Sequence, residues 1–387
     1  MLLIGSDYAK LLSMLDLKLL HVVFPKAQPV TISFNTWTVR DTYLVILENG
    51  KMQGIGGANP FKPITGDSPE ELISDAKKIV KIPLDPSKDP ISSLNDFLNK
   101  NIQSQSLASA IDSAYHDMLG KIKNVPVSKL YSNTIRYVDN SVTVFLKDTL
   151  QETATEAKKI FTAFPDLKIL KIKLKGFDDV ERVEAIKKVS PKGMKFTLDA
   201  NQAYKDPKYA VEVLTAIGKV LGDVILVEEP CAKNDLEKMK FVKDNLSGMM
   251  VFADESLASL KDVINIAKAN CAHGVNIKLQ KVGGIYPAVE IAEFCRQNGL
   301  KFMVGAMIED NIGLTAAAHF AASQPDAILT DLDTDIDLPR YVDGGSNLEN
   351  GQRHIIESRK GLGINFTMHD LDSLHSSGEL NYDLEQL

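Results

Sequence analysis

Three carboxylates lie where short apolar runs of this sequence end. Asp199, Glu228 and Asp254 belong to the runs FTLDANQ, ILVEEP and VFADES, and such runs are typical of strands in a parallel sheet covered by helices. Neighbouring carboxylates repel one another unless a cation lies among them, and hard oxygen ligands from separate strand ends suit Mg²⁺. A single acid of this kind would more often be a cap on the following helix. Because three occur on consecutive strands, we favour a site for one Mg²⁺ per subunit.

Lysines mark two further strand ends. Lys171 and Lys173 alternate in LKIKL, so both side chains point to the same face, and Lys278 is next to last in the run GVNIKL. Buried lysines are costly, and we expect repulsion within the pair, together with a nearby cation, to lower the pKa of one of them toward neutrality, where lysine can act as a base. The alternative is an edge strand with a solvated lysine face, which Lys175 would extend.

A D-x-D pair ends the run AILTDLD. Asp331 and Asp333 point to the same face of a strand and could hold an ammonium group, although the acidic stretch TDLDTDID is equally consistent with a solvated loop. His319, in an alanine-rich helix, is typical of a core histidine. The Gly-Gly pair at 283–284 is a weak signal for an anion-binding nest.

Strand–helix alternation supplies the frame for these residues. From about residue 136, eight apolar runs alternate with helical patterns, and no convincing helix pattern follows the eighth run. Charged residues at the C-terminal ends of several such strands are the layout of a TIM-barrel active site. We therefore predict an α/β fold with a (β/α)₇β barrel at 136–340.

The two ends of the chain have other patterns. Residues 17–56 alternate apolar and polar residues, which predicts an antiparallel meander that includes TISFNTWTV as a strand. Residues 68–132 are helical and begin with a capping-box pattern at Ser68. The predicted divisions are an α+β domain at 1–135, in which 1–16 is an extension, and a tail of turns and short strands at 341–387 that folds back onto that domain.

The composition of the chain argues against several classes of protein. The chain has 387 residues, of which 44% are hydrophobic and 25% charged, with a net charge of −7 and both signs interspersed. This charge distribution argues against a nucleic-acid surface. The N-terminal apolar stretch is interrupted by charges, so we expect no membrane partner. Three widely spaced cysteines signal neither a disulfide framework nor a zinc site, which favours the reducing cytoplasm.

Together these motifs resemble those of a known family. LKIKL, LDANQ, LVEEP, ADES, NIKLQKVGGI and the D-x-D follow one another through the barrel as in the enolase superfamily, muconate-lactonising subgroup, and within it the dipeptide epimerases of the L-Ala-D/L-Glu type. The resemblance implies that the α+β segment and the tail form a capping domain over the barrel. It also implies a homo-oligomer.

The same resemblance implies roles for the marked residues. Asp199, Glu228 and Asp254 correspond to Mg²⁺ ligands, and Lys173 and Lys278 to two acid/base lysines, with Lys171 tuning Lys173. The D-x-D residues, Asp331 and Asp333, correspond to the pair that binds the α-ammonium group of a dipeptide.

The implied activity is that of an isomerase. A Mg²⁺-dependent epimerase of this kind inverts the α-carbon of the C-terminal residue of an L-Ala-X dipeptide, of the L-Ala-L/D-Glu type, by two-lysine 1,1-proton transfer through an enediolate. One alternative is a lyase of the same subgroup, similar to muconate cycloisomerase or o-succinylbenzoate synthase. Another is a non-catalytic, metal-holding binding protein, which would have no use for costly buried lysines.

Two departures from the family pattern concern the capping segment. The family often has G-x-G-E-A, but Gly57 stands here in place of the glutamate. Glutamate-specific members carry an arginine in the first cap loop, and VTISFNTWTV has none. Lys26 and Arg40 flank this loop and are candidate cations, whereas Trp37 offers apolar surface for a neutral side chain. We therefore expect a permissive pocket for the second residue of the dipeptide.

Overall fold

The N-terminal part of the chain forms an antiparallel sheet. The structure is a computed structural model that describes residues 14–25, 27–32, 35–50, 52–85 and 87–387. In the sheet, β1 pairs with β4, β4 with β5, and β6 with the outer part of β1. The strands of this part are β1 (Met14–Phe24), β2 (Val30–Thr31), β3 (Thr36–Trp37), β4 (Arg40–Glu48), β5 (Gln53–Ala58) and β6 (Lys81–Pro83).

Two details of this sheet differ from the sequence prediction. β1 begins at Met14, inside the stretch that we predicted to be an extension. Among the described residues of the run TISFNTWTV, none pairs with the cap sheet, and β2 and β3 pair with each other in a hairpin of two residues a side. The hairpin instead reaches the barrel, where the backbone N–H of Leu146 donates to the carbonyl of Thr31 at 3.2 Å. The loop is therefore held over the barrel mouth rather than within the cap sheet.

Helices cover one face of the cap sheet. They are α1 (Lys62–Thr65), α2 (Pro69–Lys78), α3 (Pro90–Asn101) and α4 (Gln105–Lys123). The predicted capping box is confirmed, since Ser68 and Glu71 satisfy each other's backbone N–H at the start of α2. The strand β5 approaches α4 so closely that a Cβ at Gly56 would lie 2.0 Å from the carbonyl oxygen of Ala110. This packing explains the glycine-rich sequence of β5.

Eight parallel strands form the predicted barrel. Their order in the sheet follows the chain, and a parallel bridge between Asn140 and Thr330 joins the first strand to the last. At the N-terminal end the interior is filled by apolar side chains, including Phe252 and Met303. The strands are β7 (Ser141–Val144), β8 (Ile169–Lys173), β9 (Lys195–Asp199), β10 (Val224–Glu228), β11 (Met250–Ala253), β12 (Gly274–Lys278), β13 (Lys301–Gly305) and β14 (Ala327–Asp331).

Helices connect the barrel strands. They are α5 (Leu150–Ala163), α6 (Asp179–Lys187), α7 (Pro207–Leu221), α8 (Leu236–Asn245), α9 (Leu260–Ala269), α10 (Leu279–Val282), α11 (Ile285–Gln297) and α12 (Asn311–Ser323). Among the described residues, β14 leads directly into the tail without a covering helix, as predicted. No helix in the described ranges is long and apolar enough to cross a membrane.

The tail returns to the cap sheet. Its last strand pairs antiparallel with β1, with Leu384 opposite Leu20. The tail thus pairs with the N-terminal sheet, and its helix α13 was not foreseen from the sequence. The elements are β15 (Asp343–Gly344), β16 (Ser346–Glu349), β17 (Gln352–Ile355), β18 (Ile364–Asn365), α13 (Met368–Ser376) and β19 (Asn381–Leu384).

His319 is a core histidine, as predicted. Its side chain is fully buried on α12, and its Nδ1 accepts a hydrogen bond from the backbone N–H of Ser128 at 3.3 Å. Burial lowers the pKa of His319 from 6.5 to about 4. Above pH 6.5 the ring is neutral whether the chain is folded or unfolded. Below pH 6.5 only the unfolded chain gains a proton there, so folding stability falls as the pH falls toward 4.

Replacing His319 tests whether its buried ring makes folding stability depend on pH. His319→Asn keeps an acceptor for Ser128 but cannot titrate. Between pH 6.5 and pH 4, the free energy of unfolding of the wild type should fall more steeply than that of the variant, by about 1.4 kcal/mol per pH unit. Reversible urea unfolding at several pH values measures both slopes. Parallel curves would show that His319 is protonated equally in the folded and unfolded states.

Candidate active site

The three predicted carboxylates meet at the C-terminal end of the barrel. Asp199, Glu228 and Asp254 follow three neighbouring strands, are fully buried, and offer ligand oxygens that all lie within 4.8 Å of one another. Parallel pairing places Asp199 opposite Glu228 in register. Three hard oxygen donors at this spacing match a divalent cation such as Mg²⁺.

The electrostatics of Glu228 support a cation at this position. Burial, with the charges of Asp199 and Asp254, raises the pKa of Glu228 to about 7, against the opposing effect of Lys171. Its Oε2 accepts a hydrogen bond from Asn276 at 2.6 Å, but its Oε1 receives no well-directed hydrogen bond from the described part of the chain. A buried carboxylate oxygen whose neighbouring cation, Lys171, lies outside hydrogen-bond geometry keeps a lone pair that could ligate a metal.

Lys171 lies among the carboxylates. Its Nζ is 3.1 Å from Asp199 Oδ2, 3.0 Å from Glu228 Oε1 and 2.6 Å from Asp331 Oδ2. Burial would lower the pKa of Lys171, but these acids outweigh burial and hold it well above the usual value. The predicted fall in pKa is therefore absent at Lys171, because carboxylates rather than the neighbouring lysine dominate its surroundings.

The other two lysines lie across the barrel from each other. Lys173 ends the second strand and Lys278 the sixth, which are four positions apart in a ring of eight. Lys173 Nζ donates to Asp199 Oδ2 at 2.6 Å, and Lys278 Nζ donates to Asp254 Oδ2 at 2.7 Å. Burial lowers the pKa of Lys278, but the charges of Asp254, Glu228 and Asp199 together outweigh burial and raise it above the usual value. Two ammonium groups thus flank the carboxylates from opposite sides.

The edge-strand alternative for the lysines is wrong. β8 pairs with β7 on one side and β9 on the other, so Lys171 and Lys173 point into the ring. Lys175 lies beyond the end of the strand, where it pairs with Asp178 at 3.1 Å. Of the three lysines in this segment, only Lys175 is partly exposed rather than buried.

The D-x-D pair closes the site next to Lys171. Asp331 accepts hydrogen bonds from Lys171 and, at 3.0 Å, from Ser141 Oγ. Asp333 accepts one from the backbone N–H of Thr143 at 2.6 Å. Burial and the charge of Asp331 raise the pKa of Asp333 to about 7. Neither acid lies in a solvated loop, because only 6% of the surface of each residue is exposed.

Lys171, Lys173 and Lys278 line one cavity together with the D-x-D pair. Trp37 of the cap hairpin lies over it, and its ring packs 4.5 Å from that of Phe61. Arg40 does not line this cavity: its guanidinium donates to the carbonyl of Thr334 at 2.5 Å and pairs with Asp337 at 3.3 Å. Lys26 lies outside the described residues. The charged and polar residues of the cavity wall are Thr143, Lys171, Lys173, Asn201, Lys278, Asp331, Asp333 and Thr334.

Comparison with protein families agrees with this geometry. Residues 151–370, more than half of the chain, match the family described as enolase C-terminal domain-like. Residues 14–131 match the mandelate racemase / muconate lactonizing enzyme N-terminal domain. The chain belongs to the enolase superfamily.

Relatives within the superfamily differ in the substrates that they are named for. The chain is 31% identical to the L-Ala-D/L-Glu epimerase of Thermotoga maritima over 80% of this chain and 88% of that protein. It is also 31% identical to the L-Lys-D/L-Arg epimerase of Desulforapulum autotrophicum, over 87% of this chain and 95% of that protein. The crystal structure of a dipeptide epimerase from Enterococcus faecalis with Mg and L-Leu-L-Tyr is 30% identical, with a TM-score of 0.82 over 91% of this chain and 99% of that one.

Several residues of this enolase-superfamily site were missed in the sequence. Lys281 is buried on the short helix after Lys278 and donates to Asp254 Oδ1 at 2.5 Å. Glu229 accepts hydrogen bonds from the backbone N–H groups of Asp254, at 2.8 Å, and Ser256, at 3.1 Å. The doubled acids of VEEP and ADES, and the spacing of three between Lys278 and Lys281, were the available signals.

The predicted anion nest is already filled. The backbone N–H of Ile285, which follows Gly283-Gly284, donates to Asp112 Oδ2 of the capping domain at 2.6 Å. A Cβ at Gly284 would lie 2.5 Å from that same oxygen. The anion at this helix start is therefore a side chain of the protein itself, which fastens the cap to the barrel.

Asn276 offers a test of how firmly the carboxylates must be held. Asn276→Leu removes the donor to Glu228 without changing the net charge, so Glu228 loses its orientation. We expect Mg²⁺ to bind roughly tenfold to hundredfold more weakly, as for other groups that orient metal ligands. Calorimetric titration with Mg²⁺ gives the affinity, and Asn245→Leu on an exposed helix serves as the matched control. Unchanged affinity would show that backbone position alone fixes Glu228.

Proposed function

We propose that this chain is a Mg²⁺-dependent dipeptide epimerase, an isomerase that inverts the α-carbon of the C-terminal residue of L-Ala-X dipeptides, including the L-Ala-L/D-Glu type. One observation carries the proposal. Lysines on opposite strands of the ring, Lys173 and Lys278, line the same cavity as the buried pair Asp331 and Asp333. This arrangement offers two proton carriers and an ammonium site within a single space.

The lysines supply the proton transfers. With the α-carbon held between them, the neutral amine of one lysine removes the α-proton from one face, and the ammonium of the other delivers a proton to the opposite face. Asp199, Glu228 and Asp254 would hold one Mg²⁺, which supplies charge stabilisation of the substrate carboxylate as the α-proton leaves. Lys171, kept cationic by its acids, adds a fixed positive charge beside Lys173.

The acids Asp331 and Asp333 orient the substrate. Carboxylates accept charge-assisted hydrogen bonds from an ammonium group, and both acids are buried where such bonds are strongest. A lyase of the same subgroup, acting on a substrate without an amine, would leave these acids without a partner. Four buried lysines in one site would likewise only destabilise a binding protein that moves no proton.

The pocket for the second residue suits neutral side chains. Trp37, Ile64 and Met307 line the cavity on the side of the capping domain, and Arg40 is occupied by Asp337 and Thr334. Among the described residues of the cavity wall, the cations are Lys171, Lys173 and Lys278, which the proton transfer already uses, so a glutamate carboxylate buried against these apolar groups would lack a cation of its own. We therefore infer broad specificity at this position, with apolar residues accepted beside glutamate.

The free thiols of the chain fit a reducing compartment. All three cysteines are buried and unpaired with one another. We place the enzyme in the cytoplasm on this basis.

Single lysine variants test the two-base scheme. Lys173→Ala should still exchange the α-proton of one substrate epimer with solvent, and Lys278→Ala that of the other, because each retains one base. Neither variant should epimerise. Proton NMR in D₂O with each epimer of L-Ala-Glu measures both processes, and Lys175→Ala, outside the cavity, should epimerise as the wild type does. Full epimerisation by either variant would exclude the scheme.

Amide substitutions test the ammonium site. Asp333→Asn, alone and combined with Asp331→Asn, removes the negative charge that would pair with the substrate amine. We expect KM for a free dipeptide to rise roughly tenfold to hundredfold, as for a lost charge-assisted hydrogen bond. An N-acetylated dipeptide should serve the variants and the wild type equally, and Asp326→Asn on the surface is the control. If KM for the free dipeptide is unchanged, these acids do not bind its amine.

A further inference from the structure

A second cavity adjoins the reaction cavity beside Asp333. It lies between the cap loop at 28–30, the start of the barrel and the loop after β14. Four residues line both cavities, namely Thr143, Phe145, Asp333 and Thr334. We call this second cavity the Ile336 cleft, because Ile336 lines it and does not line the reaction cavity.

The walls of the Ile336 cleft are mainly apolar. Ile336 is 45% exposed, which is unusual for an isoleucine in a concave site. Apart from Asp333, the charged side chains of the wall balance one another, since Arg40 pairs with Asp337, and Lys147 and Glu156 carry opposite charges. The apolar part consists of Val30, Val142, Phe145, Ile160, Phe164 and Ile336. The cleft therefore suits an uncharged, apolar group.

Covalent geometry connects the cleft to the ammonium site. In an amino acid, the nitrogen and the Cβ are bonded to the same Cα and lie about 2.5 Å apart. An ammonium group bound by Asp331 and Asp333 therefore fixes the start of the first residue's side chain next to Asp333. The reaction cavity must hold the second residue, whose α-carbon lies between Lys173 and Lys278. The space left for the first side chain is the Ile336 cleft.

We propose that the Ile336 cleft binds the side chain of the first residue of the dipeptide, and that it prefers an apolar side chain of the size of leucine or methionine over alanine. The proposal rests on the proposed function and refines it at the first position. A methyl group would leave most of the apolar wall exposed to water, whereas a leucine side chain would cover Ile336 and Phe164. Burying three additional carbons favours L-Leu-X over L-Ala-X by roughly tenfold or more in kcat/KM.

Two substrates and two variants test this preference. The rate of C-terminal epimerisation is measured by proton NMR in D₂O for L-Leu-L-Ala and L-Ala-L-Ala, and the ratio of their kcat/KM values is the readout. Ile336→Asp places a charge on the apolar wall at an exposed position. It should lower the ratio about tenfold. Leu384→Asp, which is 61% exposed on β19 and lines neither cavity, should leave the ratio unchanged.

The outcomes separate this proposal from the one on which it rests. A ratio near ten or above in the wild type that falls in Ile336→Asp alone supports the cleft as the subsite. Two results would contradict the subsite while L-Ala-L-Ala is still epimerised: a ratio of one or less in the wild type, or an equal change of the ratio in both variants. In either case the proposed subsite is wrong, but the proposed epimerase function is still supported. If none of a series of dipeptides exchanges its α-proton, the epimerase proposal itself fails and the subsite fails with it.

Discussion

Burial of like charges at one end of the barrel is the constraint on which the site depends. Carboxylates at the ends of three neighbouring strands cannot lie within 4.8 Å of one another in a protein interior unless cations balance them. Lys171, Lys173, Lys278 and Lys281 supply that balance, each with its Nζ within 3.1 Å of at least one of these acids. The lysines that would carry the chemistry are therefore also the groups that allow the acids to be buried.

The same constraint determines how the capping domain is attached. The cavity needs a cover that excludes water, and polar contacts at several places fasten the cap over it. The backbone N–H of Asn59 donates to Gln280 at 2.6 Å, next to the strand that carries Lys278. Arg40 is fixed to the loop that follows the D-x-D pair, and Asp112 fills the start of the helix after Gly284. Cap and barrel are thus joined close to the groups that would bind and change the substrate.

The barrel and the loops over it contribute different kinds of side chain to substrate recognition. The barrel supplies the charged groups, whose positions follow from strand register, whereas the cap hairpin and the loop after β14 supply apolar side chains such as Trp37 and Ile336. Relatives at about 30% identity are named for acidic, basic and hydrophobic substrates. Such variation is expected when loops on a constant frame determine the side chains that are accepted.

The sequence by itself determined the barrel and the residues at its strand ends. Continuous apolar runs that end in Asp199, Glu228 or Lys278 are a local signal, because a charge at the end of a buried strand is unusual wherever it occurs.

Only the tertiary structure decided what depends on contacts between distant segments. The carboxylates that surround Lys171 come from four strands, so its pKa rises although the neighbouring lysine alone predicts a fall. TISFNTWTV has the alternation of a strand, yet β1 pairs with β4 and leaves that run as a hairpin against the barrel. Arg40 flanks the cap loop in sequence, but Asp337, which lies 297 residues away, determines where its guanidinium points.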